Sequence, residues 1–204
     1  MKRTKLVQLS LSLLFIAFFA LNNLHCASKA DTNKLVPIQL NANEASLLLD
    51  IGVSRQAAFR MDLSKDIQWA EFWVDYYYNG KFIEKQFNSG FSMKDRKRST
   101  KLLLTQIASI PGSTDELWTV SITGKHRMTR NINLADPSGA TGWKSSPEQA
   151  VVLNQAMMLF VLTRNPSSPE AIEEAVFLQD PIAWNKLMKN QHVYVFRMQF
   201  KQEN

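Results

Sequence analysis

The stretch that decides the fold is QWAEFWVDYYYNGKFIEKQF, residues 68–87. Its first eleven residues are aromatic and β-branched enough to favour a strand. Asn79-Gly80 follows, the preferred pair for a two-residue type I′ turn, so residues 81–87 should return antiparallel. Side chains on a strand alternate between faces. Ala70, Phe72, Val74, Tyr76 and Tyr78 therefore read as core, and Trp69, Glu71, Trp73, Asp75 and Tyr77 share the opposite face.

The same period of two recurs on either side of this hairpin. In residues 117–123, Trp118, Val120 and Ile122 point one way and Thr119, Ser121 and Thr123 the other. Gly124-Lys125 should turn the chain, and residues 126–134 should return with Met128, Ile132 and Leu134 in phase. Arg130 falls on that apolar side and must extend its head to water or find a partner. Residues 57–63 form another strand through Phe59, Met61 and Leu63; residues 35–40, 46–51 and 101–107 are further strand candidates.

Beyond Leu134 the pattern changes. Residues 135–142 read as a loop. Ser146 as N-cap, Pro147 at N1 and Gln149 in a capping box predict a helix. That helix should be nearly engulfed, because only Asn154 and Gln155 are polar between Ala150 and Leu162. Ser168-Pro169 should open a second helix with Glu170, Glu173 and Glu174 in water. Asp180-Pro181 should open a short third one carrying Trp184, Leu187 and Met188. Residues 192–201 alternate again and read as a closing strand. The expectation is an α+β fold: an antiparallel β-sandwich-like sheet with two or three helices inserted before the last strand.

The chain has 204 residues, 45% hydrophobic and 21% charged, with seven Gly, seven Pro and one Cys. That composition excludes a disordered chain, a collagen-like repeat and a disulfide-stapled mini-domain. The formal charge of +6 is unevenly placed. Lys2, Arg3, Lys5 and Lys29 lie in the first 30 residues, which hold no acid, and residues 31–204 carry 20 bases against 18 acids.

This N-terminal excess belongs to an export pattern. A basic start (MKRTK) runs into the apolar stretch of residues 6–21 and then meets Asn22-Asn23. As a helix the apolar stretch spans about 24 Å, short of the ~30 Å bilayer core. The layout is that of a secretory signal peptide, with an uncleaved anchor as the competing reading. Cys26, the lone cysteine, stands five residues past the apolar run, with a polar stretch (residues 27–34) after it. This arrangement resembles a bacterial lipoprotein, and the resemblance implies a lipidated Cys26 followed by a tether. It departs from the usual lipobox, which wants an aliphatic residue three before the cysteine and a small one directly before. Asn23 and His25 occupy those places, and Leu24 is one out of register. Ordinary cleavage after Ser28 or Ala30 is the alternative. The organisation expected is a signal peptide over 1–26, a tether over 27–34 and a single mixed, β-rich domain over 35–204. Without Cys26 that domain has no cysteine, so its fold must rest on its core.

The chemistry-bearing residues are sparse. His126 and His192 have no cysteine or second histidine at ligand spacing, so a zinc site is not expected. No Gly-x-Ser-x-Gly elbow, Walker loop or Gly-x-Gly-x-x-Gly fingerprint is present. Residues 138–142 (SGATG) do not connect a strand to a helix as a phosphate cradle would. The stripe Trp69, Glu71, Trp73, Asp75, Tyr77 is the main candidate. Interleaved rings and carboxylates suit a sugar-binding surface, unless the helices cover it. Glycosidases place two carboxyls roughly 5–9 Å apart, whereas strand residues at i and i+4 lie about 13 Å apart. Glu71 would thus need an acid from elsewhere to serve an envelope glycan or peptidoglycan hydrolase, the alternative reading. Arg96, Lys97, Arg98, Lys125, Arg127 and Arg130 form a second candidate, a basic rim for anionic headgroups or acidic glycans. The expected protein is a non-catalytic envelope lipoprotein or secreted binding protein without cofactor. It would meet the membrane through Cys26, together with a glycan, a lipid headgroup or an envelope protein. Nucleic acid is not an expected partner of an exported chain.

Overall fold

The computed structural model describes residues 33–94, 99–107, 115–122, 126–133, 140–165, 169 and 171–202. Among them the strands are, in chain order, β1 (Lys34–Pro37), β2 (Val53–Asp62), β3 (Trp69–Tyr78), β4 (Lys81–Ser92), β5 (Ser99–Ile107), β6 (Asp115–Ile122), β7 (His126–Asn133), β8 (Ala140–Ser145), β9 (Gln149–Ala150), β10 (Ala156–Asn165) and β11 (His192–Lys201). Helix α1 (Ala42–Asp50) lies between β1 and β2. A 3₁₀ helix (Glu174–Leu178) and α2 (Pro181–Leu187) lie between β10 and β11.

The 68–87 segment folds as the hairpin its sequence predicts. Tyr78 pairs with Lys81 across the turn. Asn79 and Gly80 both hold positive φ, +46° and +73°, as a type I′ turn demands. All the strand pairs are antiparallel and they form two sheets. Sheet A has the order β7-β6-β5-β2-β1-β9, and sheet B the order β4-β3-β11-β10-β8. Their inner faces share one core. Trp118 of β6 meets Phe160 of β10 at 5.5 Å and Phe196 of β11 at 4.5 Å between ring centroids. Leu35, Phe59, Met61, Leu102 and Leu104 face this core from sheet A, and Phe72, Val74, Tyr194 and Phe200 from sheet B. Burying each such side chain contributes roughly 1.5–3 kcal/mol, which is why the alternation in β2, β3, β6 and β11 is legible in sequence.

Several expectations from the sequence are corrected. Residues 46–51 were expected as a strand, and they belong to α1 and its C-cap Ile51. The helix exists because Asn41 closes a capping box: its Oδ1 accepts the Glu44 N–H at 2.9 Å, and the Glu44 carboxylate accepts the Asn41 N–H at 3.2 Å. The engulfed helix expected over 150–162 is replaced by β9, a turn and β10. Leu159, Phe160 and Leu162 of β10 enter the core between the sheets, while Met158 and Val161 enter a second cluster on the outer side. A strand buried on both faces has no apolar alternation, and its run of apolar residues matches that of a buried helix. Ser146 is no N-cap; its N–H donates to the Leu159 carbonyl at 2.9 Å as the chain passes from β8 in sheet B to β9 in sheet A. Residues 140–142, expected as loop, form part of β8. Of the second helix expected from Ser168-Pro169, Ser168 and Glu170 lie outside the described residues, residues 171–173 are not helical, and a 3₁₀ turn begins at Glu174. The third forms as expected, with Pro181 in its first turn and Asp180 Oδ1 accepting the N–H groups of Ile182 and Ala183 at 3.0 and 2.8 Å.

Candidate functional site

The outer face of sheet B carries the stripe Trp69, Glu71, Trp73, Asp75, Tyr77 on β3. On the neighbouring β11, Arg197 and Lys201 fall on the same face. The register sets Arg197 opposite Trp73 and Lys201 opposite Trp69. Each cation reaches diagonally to a carboxylate. Lys201 Nζ is 2.7 Å from Glu71 and Arg197 Nε is 2.6 Å from Asp75. Both acids of the stripe are therefore committed to cross-strand ion pairs.

The rings of the stripe meet different surroundings. Trp69 lies over Gly90 of β4, where a Cβ would run into the indole, and it stays 39% exposed. Trp73 is only 8% exposed, with Lys85 Nζ 4.5 Å above its ring. Tyr77 packs edge-on to Trp184 of α2 and to Phe82 of β4, each at 5.6 Å. The Arg197 guanidinium sits 5.8 Å from the same Trp184 ring. The 3₁₀ helix and α2 thus cover the Tyr77 end, where Val176, Phe177, Ala183 and Leu187 pack on Val161, Val193 and Val195. The Trp69 end lies open, with Glu71, Lys201 and Gln199 partly exposed beside it. The structure brings the five stripe residues onto one face and divides that face in two.

The basic rim is not assembled in the same way. Arg96, Lys97, Arg98 and Lys125 lie outside the described residues. Arg127 and Arg130 are both exposed on β7, but on opposite faces: Arg127 pairs with Ser121 and Arg130 with the inward-facing Trp118. Arg130 reaches water because β7 is an edge strand. His126 packs against Phe91 at 6.0 Å, where the edges β4 and β7 meet. Among the described residues no group of three His, Cys, Asp or Glu side chains could hold a metal ion, and no helix is long and apolar enough to cross a membrane.

One polar cluster was not anticipated from the sequence. Between the sheets, at the end of β6 away from Ile122, the buried Glu116 carboxylate bonds Arg164 of β10. It also accepts from the Trp118 indole at 3.2 Å and from Arg55 of β2 at 3.5 Å. Arg55 and Ser54 both donate to the Gln106 amide oxygen. Burial lowers the Arg55 guanidinium pKa, Glu116 opposes that shift and Arg164 adds to it. Nearby, the His192 Nδ1 is 2.9 Å from the Tyr76 hydroxyl, and the Tyr76 and Tyr194 rings stack at 4.8 Å. Burial raises the pKa of the Tyr76 phenol, so it stays protonated. The available signal was phase: Glu116 is two residues before Trp118, on the core side of its strand, and Arg164 is two residues after Leu162.

Fold and surface together define a two-sheet, antiparallel, sandwich-like body with a helical cap over half of one outer face. The chain belongs to the YgaN domain family, whose model matches residues 35–200. No curated protein and no solved structure matches it.

Proposed function

We propose that this chain is a non-catalytic binding protein of the cell envelope, exported by its N-terminal segment and held at a membrane by lipid on Cys26. The reading of the binding surface rests on one observation: the cap leaves Trp69 exposed beside the Glu71–Lys201 pair and Gln199. An open indole next to fixed, hydrogen-bonded polar groups suits a sugar ring, which stacks its apolar face and bonds its hydroxyls. Carboxylates already held by cations are placed for holding a ligand rather than for proton transfer. A glycoside hydrolase needs a second carboxyl roughly 5–9 Å from the first, and Asp75 is about 13 Å along the strand from Glu71 and engaged by Arg197.

Two measurements test the proposal. Cys26→Ala is expected to move the protein from the membrane to the soluble fraction, and unchanged fractionation would overturn the anchor. Trp69→Ala is expected to weaken retention on insoluble peptidoglycan by about tenfold. Equal retention of the variant would remove this face as the binding surface.

A further inference from the structure

The β3–β4 hairpin ends in an apolar tip that neither sheet covers. Phe82 touches Tyr77 edge-on at 5.6 Å, yet it is 54% exposed, and the adjacent Ile83 is 51% exposed. Tyr78 stands beside them at the mouth of the turn. Apolar side chains scattered singly over a surface are ordinary, but two large neighbours at one exposed end are not. A bulge accounts for the second of them. Glu84 pairs with Tyr76 and Phe82 with Tyr77, so Ile83 is an extra residue outside the regular alternation of β4.

The same end is basic. The Asn79 N–H donates to the Gln191 carbonyl at 2.8 Å, and a Cβ on Gly80 would come within 3.2 Å of the Met188 carbonyl oxygen. The C-cap of α2 therefore backs the turn and brings Lys189 to it. Lys189, Lys81 and Lys85 are exposed here, against the single carboxylate of Glu84.

Shape and charge narrow what such a tip can meet. Residues 78–85 are all exposed, so there are no walls to enclose a small ligand. β4 is the edge strand of sheet B, and an edge can recruit a further strand. The bulge at Ile83 and the exposed Lys81 and Lys85 are devices that keep strands off an edge. A lipid surface needs neither walls nor strand register. Aromatic and aliphatic side chains enter its acyl boundary, and lysines meet its anionic headgroups.

We propose that the β3–β4 tip docks on an anionic lipid surface, with Phe82 and Ile83 at the acyl boundary and Lys81, Lys85 and Lys189 on the headgroups. This inference rests on the envelope reading above and adds a contact that does not depend on lipid at Cys26. Trp69 lies nine residues from Tyr78 on β3, roughly 30 Å along the strand. Docking at the tip therefore leaves the open Trp69 face in water.

The test mixes the purified chain with vesicles of phosphatidylcholine alone, or of phosphatidylcholine and phosphatidylglycerol in equal parts. Amide hydrogen exchange over residues 79–85 is followed by mass spectrometry. The mixed vesicles are expected to slow that exchange about tenfold and phosphatidylcholine far less, and ~1 M salt should remove most of the difference. The double variant Phe82→Ser, Ile83→Ser and the single variant Lys81→Glu should each lose most of the protection. If a variant fails to fold, the two vesicle types on the unaltered chain still decide. Unchanged exchange with mixed vesicles, or equal slowing by both types, would overturn the proposal. So would protection that grows with protein concentration in the absence of vesicles, which would make the tip a contact between copies of this chain. Cys26→Ala should leave the tip protection intact, and its loss in that variant would overturn the independent contact. Unchanged fractionation of Cys26→Ala would instead overturn the anchor and leave this inference standing.

Discussion

Helices α1 and α2 are both short, and both begin at a side-chain cap, yet they do opposite things to the sheets they lie on. α1 has nine residues and a complete capping box, but none of its residues is buried. Leu47, Leu49 and Ile51 are 62%, 70% and 55% exposed. α2 has seven residues, buries Ala183 and Leu187, and sets Trp184 against Tyr77. Local signals decide that a helix forms, whereas most helical stability in proteins comes from packing an apolar face. α1 shows the first without the second. α2 shows both, and it decides which part of the β3 stripe reaches solvent.

Substitutions can break this contrast at each level. Leu187→Ala removes a buried anchor of the cap and should cost about 2–5 kcal/mol, read as a lower denaturant midpoint. A loss under ~1 kcal/mol would mean that the cap is loosely attached. The same variant should increase the exposure of Tyr77, since Trp184 loses its support. Asn41→Ala should cost about 1 kcal/mol, but only within α1: its amides should lose hydrogen-exchange protection while the global midpoint stays put. Acid should act on the same element. The Lys101 ammonium, 2.5 Å away, and then the Asn41 N–H hold the Glu44 carboxyl below its ordinary pKa. A carboxyl with a depressed folded-state pKa contributes its support above the unfolded value and loses it as the pH falls through the depressed one. α1 protection is therefore expected to fade below about pH 4, and Glu44→Gln should abolish that step. The smallest effect belongs to Leu49→Ser, expected within ~0.5 kcal/mol. A clear destabilisation there would show that this leucine is covered in solution.

The difference between the helices also explains what could be read in advance. β3, β6 and β11 each put one face on the shared core and the other on a different environment, so their alternation survives in the sequence. The Asn79-Gly80 turn was equally legible, because positive φ at two successive positions restricts the residue choice. β10 was misread as a helix because it is covered by the core on one face and by the cap on the other. α1 was misread as a strand because its apolar residues do not mark a buried face. The stripe on β3 was visible as a set of residues, but its division was not. Lys201 and Arg197 lie more than a hundred residues along the chain from the acids they hold.

Short-range chemistry in the sequence determined the strand-rich body, the hairpin, the Asp180-Pro181 helix start and the residues sharing the outer face of β3. The tertiary structure alone decided that Trp69 is open and Trp73 shielded, and that Glu116 lies between two arginines. Alternation and capping depend on neighbours a few residues apart, so they are written locally. Exposure, ion pairing and strand order depend on which distant segments the sheets bring together.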